Sequence, residues 1–152
     1  MTTKLWVTEW DDIEKSLQGS LKRLQLDYID LYLIHNPCGV KSPPGGIRSL
    51  DDYFKFNSKL TSSANPAEFY RNTDYVTLWK NMENLVHAGL AKSIGVSNFN
   101  VYQINRLVKN CAIKPVMNQI EVHPWHSQTE LVNACHQHNV MVTAYGKSYI
   151  II

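Results

Sequence analysis

Lys92-Ser93-Ile94-Gly95-Val96-Ser97-Asn98-Phe99 is the stretch on which the fold turns. Its apolar centre, residues 93–96, is too short for most helices and reads as a strand closed by the polar pair Ser97-Asn98. Downstream, residues 101–109 carry Ile104, Leu107 and Val108 at helical spacing, and residues 115–120 read as a second strand. Residues 128–138, with Leu131, Val132 and Cys135, read as a helix, and 140–145 as a further strand. These three strands begin about 24 residues apart, a spacing that implies parallel βα units.

Working upstream, residues 75–88 place Leu78, Trp79, Met82, Leu85 and Val86 on one helical stripe, with Gly89 as the stop. Residues 28–34, Tyr-Ile-Asp-Leu-Tyr-Leu-Ile, read as a strand. Residues 10–24 read as a helix with Ile13, Leu17, Leu21 and Leu24 on its apolar face. Asp11 and Asp12 fall in its expected first turn, and Lys22 and Arg23 in its last, as the helix dipole prefers. Residues 37–74 read as a long loop, with Pro43-Pro44-Gly45-Gly46, Thr61-Ser62-Ser63 and Asn65-Pro66, and one short helical piece near 50–56. Its aromatics, Tyr53, Phe54, Phe56, Phe69 and Tyr70, suit either an apolar pocket wall or the pinning of the loop.

The expected order is thus α-β-α-β-α-β-α-β, an α/β protein for which an open doubly wound sheet and a (β/α)8 barrel compete. No GxGxxG or P-loop follows any strand, so the dinucleotide-binding open sheet lacks its usual mark. Polar residues gather instead at each strand end: His35, Ser97-Asn98, Gln119 with Glu121, and Tyr145. One polar group per strand end points to the shared mouth of a barrel.

Composition narrows the function classes. The chain has 152 residues, 44% hydrophobic and 18% charged, which excludes a disordered or fibrous protein. No apolar run approaches the ~18 residues of a membrane span, and Met1-Thr2-Thr3-Lys4 leads into no signal-like apolar region. A formal net charge of +2 lacks the concentrated basic face that nucleic acid requires. Cys38, Cys111 and Cys135 read as free thiols of a reducing compartment, so the expected location is cytoplasmic. His123-Pro124-Trp125-His126 and Cys135-His136-Gln137-His138 have no zinc-set spacing, and no metal is expected.

Several motifs, taken together and in order, resemble the aldo-keto reductase family of NADPH-dependent (β/α)8 barrels. They are Thr3-Lys4-Leu5-Trp6, Leu26-Asp27-Tyr28-Ile29-Asp30-Leu31-Tyr32-Leu33-Ile34-His35, and the stretch from Lys92 to Phe99. Asn118-Gln119-Ile120-Glu121-Val122-His123-Pro124 and Thr143-Ala144-Tyr145 complete the set. The resemblance implies reduction of a small-molecule aldehyde or ketone to an alcohol. By that resemblance Lys4 matches the lysine that lowers the pKa of the proton-donating tyrosine, and His35 the histidine that orients the carbonyl. Ser97, Asn98 and Gln119 match the groups that hold the nicotinamide carboxamide, Tyr145 the ring that stacks on the nicotinamide, and Trp125 a stretch of substrate-pocket wall. An amide has two donors and an acceptor, which a Ser-Asn-Gln cluster can satisfy.

Taken without the resemblance, other readings of these residues stay open. Lys4 also suits a solvated lysine, His35 a satisfied strand-end histidine, and Ser97-Asn98 the cap of the helix near Val101. Gln119 needs a polar partner if buried, and Tyr145 also suits a core or interface aromatic.

The sequence also departs from the family pattern. It starts close to Lys4, and after Tyr145 it reads Gly146-Lys147-Ser148-Tyr149 and onward rather than Ser-Pro-Leu-Gly. Residues 1–152 are therefore expected to form a partial reductase domain of about four to five βα units, with 146–152 a divergent tail. The catalytic aspartate and tyrosine, and the Lys/Ser/Arg cluster that grips the adenosine phosphate, find no counterpart. Weak or no reductase activity is expected of this chain alone. The alternative is a non-catalytic truncated form acting through protein partners, with self-association through exposed barrel edges.

Overall fold

The computed structural model describes residues 1–47 and 49–146. In chain order it has β1 (Thr2–Leu5), α1 (Ile13–Leu24), β2 (Ile29–Ile34), α2 (Leu50–Ser62), a 3-10 turn (Pro66–Phe69), α3 (Tyr75–His87), β3 (Ala91–Ser97), α4 (Val101–Asn110), β4 (Met117–Glu121), α5 (Thr129–Gln137) and β5 (Met141–Tyr145). The five strands form one sheet in the order β1-β2-β3-β4-β5, every neighbouring pair parallel. A doubly wound sheet reverses its order at a switch point. This one never does, which is the order of a barrel wall.

One face of the sheet packs against the helices. Leu5, Ile34, Ile94, Val96 and Ile120 join Leu17, Trp79, Met82, Ile104 and Leu131 in a single core. By strand alternation the other face carries Lys4, Leu33, Gly95, Ser97, Gln119, Thr143 and Tyr145. The register lays Lys4 beside Leu33, Leu33 beside Gly95, Ser97 beside Gln119, and Gln119 beside Thr143. Gly95 is required there. A Cβ at that position would stand 2.7 Å from Leu33 Cδ2 and 2.8 Å from the Met117 carbonyl oxygen.

Three expectations are corrected. First, the order gains a strand at the start: residues 2–5 pair with β2, because the alternation of Thr2-Thr3-Lys4-Leu5 sends Leu5 into the core. Second, the helical piece expected near 50–56 within residues 37–74 extends to Ser62. The helical piece runs the full length of α2, capped by Ser49, whose side chain accepts from the Asp52 N–H at 3.1 Å. Its polar second half is poor helix former on paper. The Thr61 and Ser62 hydroxyls are accommodated by bonding back to the Asn57 and Ser58 carbonyls, at 2.9 and 2.6 Å. Third, α1 starts at Ile13 and not at residue 10. Asp12 is its N-cap, accepting from the Lys15 N–H at 3.0 Å, so Asp11 precedes the helix and Trp10 packs into the core. The expected tail at 146–152 lies, beyond Gly146, outside the described residues.

Candidate functional site

The C-terminal ends of the strands bring four of the named residues onto Asn98. The turn after β3 puts Asn98 in the left-handed region, with φ +62°, which asparagine tolerates better than most residues. Its backbone N–H donates to the Gln119 carbonyl at 3.0 Å. Its side-chain nitrogen donates to the His35 carbonyl at 2.9 Å and to Ser97 Oγ at 3.3 Å. Its side-chain oxygen accepts from the Tyr145 hydroxyl at 2.5 Å. Ser97, buried, donates through Oγ to the Gln119 carbonyl at 2.7 Å. One asparagine thus ties together the ends of β2, β3, β4 and β5.

That arrangement fixes what the cluster can offer. Both N–H groups of the Asn98 amide and the Ser97 proton are spent on the protein, while the Asn98 oxygen keeps a lone pair. The half-buried Gln119 side chain makes no hydrogen bond to the described residues, so it has both a donor and an acceptor for a ligand. Tyr145 is 41% exposed, and its hydroxyl tether leaves ring surface accessible. A planar primary amide on an aromatic ring matches this set.

His35 stands at the end of β2, its backbone N–H donating to the Leu5 carbonyl at 3.2 Å. Its ring meets Trp6 edge-on, with centroids 4.7 Å apart. Partial burial, and then the charge of Lys4, hold its pKa below the usual 6.5. The imidazole is therefore neutral near pH 7, with one N–H to donate and no charge to neutralise. Lys4, half-buried on β1, is the nearby cation.

Trp125 is 65% exposed, borders a hollow lined also by Val101 and Gln128, and has its ring 6.0 Å from that of His123. Ser97-Asn98 does not cap α4. Asn100 does so through a reciprocal capping box with Gln103, both bonds 2.9 Å. Among the described residues no three His, Cys, Asp or Glu side chains converge as a metal-binding set. No described helix is long and apolar enough to cross a membrane.

Of the two readings open for the aromatics of residues 37–74, the pocket wall applies to Tyr53, Phe56 and Tyr70, which line a cavity of about 370 Å³ beside this cluster. Its lining includes Trp6, Asn36, Val40, Tyr53, Phe56, Leu60 and Asn98. The signal was present as Tyr53, Phe56, Asn57 and Leu60, an i, i+3, i+4, i+7 pattern.

The Aldo/keto reductase family matches over residues 3–147. Aldo-keto reductase AKR2E4 of Bombyx mori is 43% identical over 148 residues, covering 96% of this chain and 40% of the relative. Aldo-keto reductase family 1 member A1 of Xenopus tropicalis is 40% identical, covering 96% and 41%. Among solved structures, the Bombyx mori AKR2E4 complex with NADP superposes with a TM-score of 0.76, over 95% of this chain and 40% of that one. The aldose reductase of Schistosoma japonicum reaches 0.79 at 37% identity, over 95% and 44%. The chain therefore spans about two fifths of the length of these relatives, and its five-stranded sheet corresponds to part of their barrel.

Proposed function

The chain belongs to the Aldo/keto reductase family, and from that premise we propose that its strand-end cluster is the nicotinamide and carbonyl half of an NADPH-dependent carbonyl reductase site. NADPH, when bound, supplies a hydride for the carbonyl carbon of an aldehyde or ketone. Gln119 and the free lone pair of Asn98 hold the carboxamide, with Ser97 fixing Asn98 from behind. The Tyr145 ring packs against the nicotinamide face. His35, kept neutral, donates its N–H to the carbonyl oxygen and sets the angle of the substrate. Lys4 adds positive charge close to His35, where negative charge develops on that oxygen. The location we propose is cytoplasmic.

The observation that carries this reading is the convergence on Asn98 of the His35 carbonyl, Ser97 Oγ and the Tyr145 hydroxyl at its side-chain amide and of the Gln119 carbonyl at its backbone N–H. By the family resemblance, none of the tyrosines in this stretch takes the place of the proton donor. General-acid catalysis is worth about 10²–10⁴-fold, so residues 1–152 alone should bind the nicotinamide end and turn over weakly or not at all. The test is twofold: thermal shift with NADPH, and NADPH oxidation at 340 nm with 4-nitrobenzaldehyde. Stabilisation by NADPH with a rate far below ordinary enzymatic turnover is expected. Ordinary turnover would defeat the inactivity claim, and no stabilisation would defeat the cofactor claim.

A second reading is supported by the sheet itself. Among the described residues β1 and β5 each have one unpaired edge, and Met141 on β5 is 66% exposed. Such edges favour association with a further chain. Light scattering after size exclusion should then find a species heavier than the 17.4 kDa chain.

A further inference from the structure

We propose that Asn118 is the positioning residue of the strand-end cluster: it holds Asn98 in its left-handed turn by gripping the next peptide, and it touches neither cofactor nor substrate. What the turn holds rests on the reductase reading above, but the grip itself rests on the geometry of β4.

Strand alternation sends Asn118 and Ile120 to the helix side of β4 and Gln119 to the mouth. Ile120 is the kind of residue such a position takes. Asn118 is fully buried there yet polar, and a buried amide is costly unless its groups are paired. Its pairing is specific. The side-chain nitrogen donates to the Phe99 carbonyl at 2.9 Å, and the side-chain oxygen accepts from the Phe99 N–H at 3.4 Å. The same nitrogen donates to Cys135 Sγ on α5 at 3.7 Å. One flat amide thus meets both polar groups of a single residue, which no apolar side chain and no ionised carboxylate can do.

Phe99 needs this partner because the sheet has ended. The pairing of β3 with β4 runs through Ser97 and Gln119, and the chain then leaves β3 at Asn98. α4 begins only at Val101, so Phe99 lies buried between ladder and helix, where its peptide groups must find a side chain. Asn98 is therefore fixed from both sides by consecutive residues of β4. Before the turn, the Asn98 N–H and Ser97 Oγ both donate to the Gln119 carbonyl, at 3.0 and 2.7 Å. After the turn, Asn118 grips Phe99. A left-handed residue other than glycine is strained and persists only where its surroundings over-determine it. Released at Phe99, Asn98 relaxes to negative φ, and its amide turns away from the His35 carbonyl and the Tyr145 hydroxyl. The Phe99 ring, packed edge-on against Tyr75 with centroids 5.3 Å apart, anchors the residue but does not set the tilt of its peptide.

The test is NMR titration of the 152-residue chain and of its Asn118→Asp variant with reduced nicotinamide mononucleotide, at about pH 6 and about pH 8.5. Burial raises the pKa of the new carboxyl. At the lower pH it is the neutral acid, which donates to the Phe99 carbonyl as the amide does; at the higher pH it is the carboxylate, which does not. The neighbouring Cys135 thiol, held above its ordinary 9 by burial, stays neutral at both. The expected result at the higher pH is binding about tenfold weaker than that of the unmutated chain, with Asn98 backbone shifts outside the left-handed range. At the lower pH the left-handed shifts return and binding comes within about threefold. A merely structural role would lower the melting temperature and move neither readout. Asn118→Thr, whose hydroxyl is too short to span both Phe99 groups, should lose the left-handed shifts and about tenfold in binding at both pH values. It decides the matter should the Asp variant unfold. Left-handed Asn98 shifts or unchanged affinity in the folded Asp variant at the higher pH, or an equal loss at both pH values, overturns the role of Asn118. An unmutated chain that does not bind the mononucleotide would overturn the nicotinamide reading, while the Asn98 shifts still decide the grip.

Discussion

The strand-end cluster around Asn98 and the α2 wall stand on either side of Trp6, and they are held in opposite ways. The cluster rides on backbone register. Ser97 and Gln119 are cross-strand partners, Asn98 is bonded to both, and Val96, Phe99 and Ile120 lie fully packed behind them. The wall rides on its own helix, with no core beneath it and Phe54 left 64% exposed. Groups that must meet a small rigid moiety within fractions of an ångström belong on the sheet.

Mutations should separate the two regions by size of effect. The largest loss is expected for Trp79→Ala on α3. Its ring is fully buried and its indole N–H donates to the Ile113 carbonyl at 2.9 Å, so about 3–5 kcal/mol should go, read by urea melts. Next comes Gly95→Ala, where the new Cβ meets Leu33 and the Met117 carbonyl; overpacking there should cost about 1–3 kcal/mol. Asn100→Ala removes the capping box of α4 and should cost about 1 kcal/mol. Phe54→Ala on α2 should change stability by no more than about 0.5 kcal/mol. A large loss at Phe54, or none at Gly95, would break the contrast.

The pH dependence sharpens it from the core side. Burial pushes the Tyr32 phenol, which shares a 3.2 Å hydrogen bond with Ser16, up to about 12. The folded chain then holds that proton more tightly than the unfolded one. Stability should be steady below pH 10 and fall between about 10 and 12, and Tyr32→Phe should remove that part of the loss. His35 has the opposite sign. Its folded pKa lies below 6.5, so the unfolded chain takes up the proton first and stability declines as pH drops below about 6.5. The His35→Gln variant should show a flatter acid limb in thermal melts.

The sheet was legible in the sequence because its strands alternate with amphipathic helices at regular spacing, and the strand-end polar residues could be named from that alone. How those residues are tied together was not legible. Nothing in Ser97-Asn98 tells that the amide turns back to the His35 carbonyl and receives the Tyr145 hydroxyl, since those contacts depend on a left-handed turn and on strand register. β1 was missed as an element because four residues carry too little periodicity and pair only once β2 exists. The second half of α2 was missed because Asn57-Ser58 and Thr61-Ser62 are weak helix formers, held by side-chain bonds that propensity does not count.

The measurement that bears most directly on the strand-end cluster is NMR titration of the folded chain with reduced nicotinamide mononucleotide, which carries the carboxamide without the adenosine half. Saturable shifts centred on Ser97, Asn98, Gln119 and Tyr145, weakened about tenfold by Gln119→Leu, are the predicted result. Saturable shifts centred elsewhere, or no shifts at those four residues, would contradict the assignment of these strand ends to the nicotinamide.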